Sequence, residues 1–435
     1  MSTATTSPLN LSLERLRDDL PSVNGDWVQA LRHSGSESFA SLGLPSPKEE
    51  SWRGTNVTAL GNVEFQVADH KLPRLDHPLS SLQLGGPRLV FCGNRLVEQS
   101  GEIPQGLWVG SIPAAADKYG DALKGWITGQ ESEFGSFEAL NRSFLSCGAV
   151  IVADAGATID AVVDLVYVNQ SNGSAAVQMP RTVIVAGERA SIKVVETFVG
   201  GGNEETFTNA VSRVVVADDA HVEHARIQIE GKQAWHVSTV TSHQTRNSQY
   251  TAHHFNLGAK VARHNTRAIL DGEGANTLLN GLYIASEKQH VDNDTVLDHA
   301  KPHGDSRELY KGILAGEARS VFTGRIIVRP DAQKTDAKQS NPNLLLSPKA
   351  LAQTRPQLEI YADDVKCTHG ATVGQMDDDA IFYLRSRGLS KGAARNMLIH
   401  AVAGEVLQAI TIPQLREALE AEVESRLTAI EAAEG

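Results

Sequence analysis

From Gly148 to about Val373 the chain consists of short alternating runs of Val, Ile and Thr broken by Gly, Asn and Asp, with almost no helical periodicity. That texture predicts an all-β region, and its corners repeat. Val152-Ala-Asp-Ala-Gly-Ala157-Thr-Ile, Val185-Ala-Gly-Glu-Arg-Ala190-Ser-Ile, Val216-Ala-Asp-Asp-Ala220-His-Val, Leu257-Gly-Ala259-Lys-Val and Leu314-Ala-Gly-Glu-Ala318-Arg-Ser-Val share one order: an apolar exit, a polar turn, a small Ala and a new strand. Small residues at equivalent corners let a chain turn and stack rung on rung, so the repeat predicts a β-helix, with a sandwich as the alternative. Only 11 Phe and 7 Tyr occur in 435 residues, which suits a narrow interior filled by Val, Ile and Ala.

The flanks read differently, dividing the chain into an N-terminal helical and irregular region (1–145), a β-helix core (146–374) and a C-terminal helical region (375–435). Leu13, Leu16 and Leu20 share one helical face, and Asp26 is the expected cap of a second helix carrying Trp27, Val28 and Leu31, ended by Pro45 and Pro47. An irregular stretch follows, with one strand expected from Arg88 to Phe91 and with Trp52 read as a packing anchor. After Gly374, Asp377, Asp378 and Asp379 suit a helix N-terminus, with Ile381, Phe382 and Leu384 behind them. Gly388 is the expected C′ residue and Ser390 the next cap. The last helix, with Pro413 in its first turn, carries Leu415, Leu419, Val423, Leu427 and Ile430 on one side. Such amphipathic helices beside a solenoid either cap its open edge or dock a partner.

A formal charge of −12 without a basic block argues against nonspecific binding of nucleic acid or anionic membranes. The three cysteines, Cys92, Cys147 and Cys367, are too few and too scattered for a disulfide framework, which points to a reducing, cytoplasmic setting. Met1 to Leu13 shows neither secretory nor transit-peptide character, and no apolar run reaches the ~18 residues of a membrane span. Walker A, dinucleotide-binding, Gly-x-Ser-x-Gly, His-Glu-x-x-His and Cys-x-x-Cys patterns do not occur. The expected class is therefore a protein without complete catalytic machinery of its own.

Two segments carry metal-binding chemistry. In Glu359-Ile-Tyr-Ala-Asp-Asp-Val-Lys-Cys367-Thr-His369-Gly-Ala-Thr-Val-Gly374, a thiol and an imidazole stand two residues apart before what reads as a Gly-marked turn. If the alternating run from Leu358 extends that far, Cys367 and His369 emerge on one face. Two ligands do not close a zinc or iron–sulfur site, so the rest must come from elsewhere, such as another chain. The bland alternative is a buried thiol and a hydrogen-bonded imidazole. The second segment, His290 to Lys311, gathers Asp292, Asp294, Asp298, His299, His303, Asp305, Arg307 and Glu308. It reads foremost as hydrogen-bonded ladders on an outer face, and secondly as the paired carboxylates of a β-helical carbohydrate-active enzyme. His221, His224, His253, His254 and His264 are read as surface or ladder residues.

Four stretches, PSPKEESWRGTNV from Pro45, FEALNRSF from Phe137, SNPNLLLSPKALAQTRPQLEIYADDVKCTHGATVG from Ser340 and DDDAIFYLRSRGLSKGAARNMLIHAVAGEVL from Asp377, resemble the SufB/SufD family of scaffold subunits of the SUF iron–sulfur cluster assembly machinery. The Trp52 motif and the sparse cysteines are closer to the SufD branch than to SufB. The resemblance implies a right-handed parallel β-helix between helical regions, a heterodimer with SufB, and a docked SufC ATPase. It implies a non-catalytic scaffold, with a transient iron–sulfur cluster at the SufB–SufD interface and no tightly bound cofactor in the isolated chain. Carried over, His369 is the cluster-site residue, sharing the metal with partner-chain ligands, and Cys367 is its neighbour. Arg385, Arg387, Gly388, Arg395, Met397, Leu398, Ala401 and Glu405 mark the SufC-docking region. A homodimer in isolation and a purely structural solenoid are the remaining alternatives.

Overall fold

The computed structural model describes residues 7–18, 20–67, 71, 75–128, 135–170, 173–201 and 204–434. Two long sheets face each other. One, the A sheet, runs from Leu107–Ser111 through Ala149–Ala153, Arg181–Ala186, Thr206–Val216, Ala234–Gln244, Val261–Leu270, His290–His299 and Arg319–Val328 to Leu351–Ile360. The B sheet runs from Arg95–Ser100 through Arg88–Cys92, Thr158–Val168, Ser191–Val199, His221–Gln228, Gln249–Asn256, Asn276–Ala285, Asp305–Leu314 and Asp336–Leu345 to Lys366–Gln375. Successive strands of the core alternate between the sheets and pair in parallel, which makes a parallel β-solenoid of about eight turns. The expected β-helix is present; the sandwich alternative is not what forms.

One edge of the stack shows why the corners repeat. Arg189, Asp219, Asn247, His303 and Lys334 adopt left-handed backbone with φ of 57°, 58°, 53°, 60° and 64°. Each donates its N–H to a carbonyl one rung further on: Asp218, Arg246, Glu273, Gln333 and Asp364 respectively. The left-handed residue reverses the chain, and the small residue after it, Ala190, Ala220, Ser248, Gly304 or Thr335, fits inside the corner. The motifs at Val185 and Val216 lie on this edge. Those at Leu257 and Leu314 lie on the opposite one, where Ala259 and Ala318 are buried.

Both outer faces are covered. Helices α1 (Pro8–Asp18), α2 (Asp26–Leu42), α3 (Ile112–Tyr119), α4 (Asp121–Thr128) and α5 (Ser136–Ser143) belong to the N-terminal region. Leu9, Leu13, Trp52, Phe65, Phe137 and Phe144 pack there against Val177, Phe207, Trp235 and Val237 of the A side. A Cβ at Gly35 of α2 would lie 2.6 Å from Ser143 N and 2.7 Å from Ala139 O, so only glycine permits α2 to approach α5 this closely. Asp26 is not the cap of α2: Gly25 holds that position and Asp26 is the first helical residue, where its carboxylate faces the dipole instead. The helix also ends before the prolines, at Gly43, whose N–H bonds to Phe39 O.

The C-terminal helices are α6 (Asp378–Ser386), α7 (Lys391–Gln408) and α8 (Pro413–Glu434). Asp377 caps α6 and Ser390 caps α7, as expected. The apolar stripe from Leu415 to Ile430 is buried, but it covers the outer side of the B sheet, against Ala225, Ile227, Phe255, Leu257, Leu282 and Ile284, rather than an open end. Burying that stripe on a flat sheet face removes more apolar surface than covering a single strand edge, which decides its position.

Candidate functional site at the open end of the solenoid

Leu351–Ile360 and Lys366–Gln375 are the outermost strands of their sheets, each paired on one side. Leu351, Ile360, Tyr361 and Val373 are exposed there. Cys367 and His369 lie on the second of these strands. Register places Cys367 opposite Ala337 and His369 opposite Gln339, and both of those neighbours are buried against the lumen. Thiol and imidazole therefore share the lumen-facing side of the last rung, as the spacing of two requires. Two details differ from the sequence reading. The run from Leu358 is not one strand, because the chain turns a corner between Ile360 and Lys366. Nor does a turn follow His369: Gly370 and Gly374 stay inside the strand, held by pairing of Asn341 with Ala371 and of Leu344 with Gly374.

The rungs below connect this pair to a polar interior. The column ending at His369 reads Leu279, Glu308, Gln339, His369; the one ending at Cys367 reads Thr277, Ser306, Ala337, Cys367. Gln339 Nε2 donates to Glu308 Oε2 at 2.7 Å. Burial lifts the Glu308 carboxyl up to about 7, against the opposing hydrogen bonds from Thr295 and Gln339. Burial also pushes the Cys367 thiol up, so it is not a thiolate waiting for a metal; a bound cation would have to displace its proton. Among the described residues no group of three or more His, Cys, Asp and Glu side chains is placed to hold a metal ion.

Deeper in the lumen are histidines that the sequence pattern assigns to the surface or to outer ladders. His224, His254 and His264 are buried, their Nδ1 atoms meeting Tyr250 Oη at 3.1 Å, Tyr310 Oη at 2.7 Å and Ser238 Oγ at 2.8 Å. Burial holds His254 and His264 well below the ordinary imidazole range, hence neutral. His253 is buried on the opposite side of its strand, 3.4 Å from Glu223, which also accepts from Thr411 N just before α8. Only His221 of this group is exposed. Gly281 and Gly312 make room for the lumen tyrosines, since a Cβ at either would lie 2.2 or 2.3 Å from a ring carbon of Tyr310 or Tyr283.

The acidic segment is an ion-paired ladder. Arg263 bonds to Asp292, and its second nitrogen lies 2.9 Å from Asp294; Thr55 also donates to Asp292, and the guanidinium stacks 4.3 Å over Trp52. Asp298 accepts from Arg329 at 2.8 Å and from Arg267 at 2.9 Å, which together outweigh burial and hold its carboxyl below the usual range. Asp305 and Asp336 share Arg307 at 2.9 and 3.0 Å. His299 turns into the lumen toward Ser306. Acid–base cleavage of a sugar needs a carboxylic acid facing substrate, and Asp292, Asp294 and Asp298 are instead spent on guanidinium groups.

On the C-terminal helices, Phe382, Tyr383 and Met397 are 73%, 56% and 58% exposed. Of the apolar residues Ile381, Phe382 and Leu384 in α6, only Ile381 is buried. Arg385, Arg387 and Ala401 are exposed, Leu398 half-buried, and Gly388 takes φ +95° between α6 and α7. Arg387 lies 5.1 Å over the Tyr383 ring. Arg395 reaches Leu346 O at 3.3 Å, and Glu405 pairs with Lys311 on the solenoid. These residues lie along two helices joined by one turn, while Arg395 and Glu405 also tie α7 to the core.

The SufBD core domain of SUF-system FeS cluster assembly matches residues 167–402. Over 403 residues the chain is 33% identical to the iron–sulfur cluster assembly protein SufD of Escherichia coli K12, covering 92% of each. It belongs to the SufBD family. A SufBD family protein of Synechocystis is 30% identical over 88% of each chain, and SufD of Bacillus subtilis is 24% identical over 92% of this chain and 94% of its own. The SufBD match includes the last two rungs with Cys367 and His369, and α6 with most of α7.

Proposed function

We propose that this chain is a scaffold subunit in iron–sulfur cluster assembly that pairs through its open solenoid end with a SufB-type subunit, the nascent cluster forming between them. The observation that carries the reading is the position of His369 and Cys367: two soft or borderline donors on the lumen side of an exposed, one-sided rung. A partner solenoid can add a strand to such an edge and bring the missing ligands with it. Incomplete ligation suits a scaffold, because a cluster with exchangeable ligands can be handed on. The exposed Phe382, Tyr383 and Met397, beside Arg385 and Arg387, form the surface proposed to dock a SufC-type ATPase. On this reading the chain supplies ligands and geometry, and the ATPase supplies turnover, in the cytoplasm. No helix among the described residues is long and apolar enough to cross a membrane.

The test is anaerobic reconstitution of iron and sulfide on the chain co-purified with its SufB- and SufC-type partners, wild type against His369→Ala, read by absorbance and Mössbauer spectra. Loss of the cluster from an intact complex is expected; a cluster undiminished in the variant overturns the reading.

A further inference from the structure

The geometry points to Gln339 as the residue that positions the His369 ring, with Glu308 fixing Gln339 in turn. This inference rests on the reading of His369 as a cluster ligand. Three side chains on successive B-sheet rungs, Glu308, Gln339 and His369, stand in register on the lumen side. In-register neighbours on parallel strands lie about 4.8 Å apart, so each side chain reaches only the rung above or below. The nitrogen end of the Gln339 amide is committed downward, to Glu308 Oε2 at 2.7 Å. Its oxygen, Oε1, is buried and has no hydrogen-bond partner. A buried acceptor left unpaired is costly, so a donor is called for.

The lumen is shaped around this amide. A Cβ at Gly324, on the opposing A sheet, would lie 2.2 Å from Gln339 Nε2 and 2.7 Å from its Cδ. Any other residue at 324 would drive the amide out of place. The rung above offers the matching group. An imidazole donates from one ring nitrogen while the other coordinates a metal, and the donated hydrogen bond decides which nitrogen is left free. With its N–H directed at Gln339 Oε1, His369 presents the remaining nitrogen toward the open end. The hydrogen bond from the Gln339 amide to the Glu308 carboxyl polarises the amide carbonyl, making it a stronger acceptor for the imidazole N–H. Gln339 is thus a positioning residue; of the three residues in this column only the His369 ring touches the cluster.

The experiment uses the reconstituted complex, reduced with dithionite, and reads the histidine 14N coupling by pulsed EPR together with loss of cluster to a chelator. In the wild type the coupling is present, and it disappears in His369→Ala. In Gln339→Leu it shifts, and cluster affinity falls roughly 10-fold, the lower end of what outer-shell partners contribute. Gln339→Glu, which keeps an acceptor oxygen at the same reach and shares a proton with Glu308 in place of the amide N–H, restores the wild-type coupling. An unchanged coupling in Gln339→Leu overturns the inference while leaving His369 a ligand. Equal shifts in both Gln339 variants assign the effect to packing and overturn it as well. A wild-type coupling that survives His369→Ala sinks both readings.

Discussion

Glu308 is a buried acid, 3% exposed, whose carboxyl is lifted to about 7. Its folded state therefore holds a proton that the unfolded chain releases near 4.5, so the stability it contributes is complete below 4.5 and is lost as pH rises through 7. Buried His254 and His264, depressed in the fold, oppose this trend below the ordinary imidazole range, so the wild-type profile alone does not isolate Glu308. The comparison with Glu308→Gln does. Gln keeps an oxygen for the Gln339 amide and removes the ionisation. Chemical denaturation at pH 5 and pH 8 is expected to show the variant gaining on the wild type as pH rises, by on the order of 3 kcal/mol over the full range. A gap that stays constant between the two pH values would place the ionisation elsewhere. Gln339 is also where the sequence is silent: Cys367 and His369 announce themselves by residue type, whereas a glutamine 31 positions from an acid is ordinary until the register stacks them on adjacent rungs.

At the scale of elements, what could be read ahead and what could not divides along physical lines. Corners were legible because a left-handed residue followed by a small one leaves a local mark, as at Arg189-Ala190 and Asp219-Ala220. The C-terminal helices were legible because 3.6-residue periodicity from Leu415 to Ile430 does not depend on what lies opposite. The direction in which strand side chains point was not. His221–Gln228 is buried at every position but its first, with the lumen on one face and helices on the other, so alternation of polar and apolar residues carries no inside and outside. His224 and His254 read as surface or ladder residues for that reason, and the structure puts both in the lumen. Beside its apolar packing, the N-terminal region is fastened to the A sheet by one crowded polar contact, Arg263 between Asp292, Asp294 and the Trp52 ring. Arg263→Leu strands two buried carboxylates and is expected to cost about 3–5 kcal/mol in urea denaturation. Adding Asp292→Asn and Asp294→Asn should recover most of it; a single variant as stable as the wild type would show the contact to be dispensable.

For the whole molecule, covered faces and an open end imply a division between folding and association. Val373 is 45% exposed on the final rung, so Val373→Asp is expected to leave the melting of the isolated chain within about 0.5 kcal/mol of wild type. The same substitution places a charge where a partner strand would be desolvated and should abolish co-purification with the SufB-type subunit. Undisturbed pairing would locate the interface elsewhere.

The two ends of the stack also differ in kind. Away from the open rung, Arg95–Ser100 and Leu107–Ser111 run antiparallel to their neighbours, breaking the direction in which every core strand is laid, and the first of them carries Arg95 and Glu98 along its length. A second solenoid cannot continue the parallel stack across such a boundary. On the proposed reading, end-to-end pairing of solenoids is confined to the open rung, and a body with one such terminus closes after a single pairing. Pairing of that kind gives counted assemblies and not filaments, so the exposed β-edge would carry no hazard of unlimited growth.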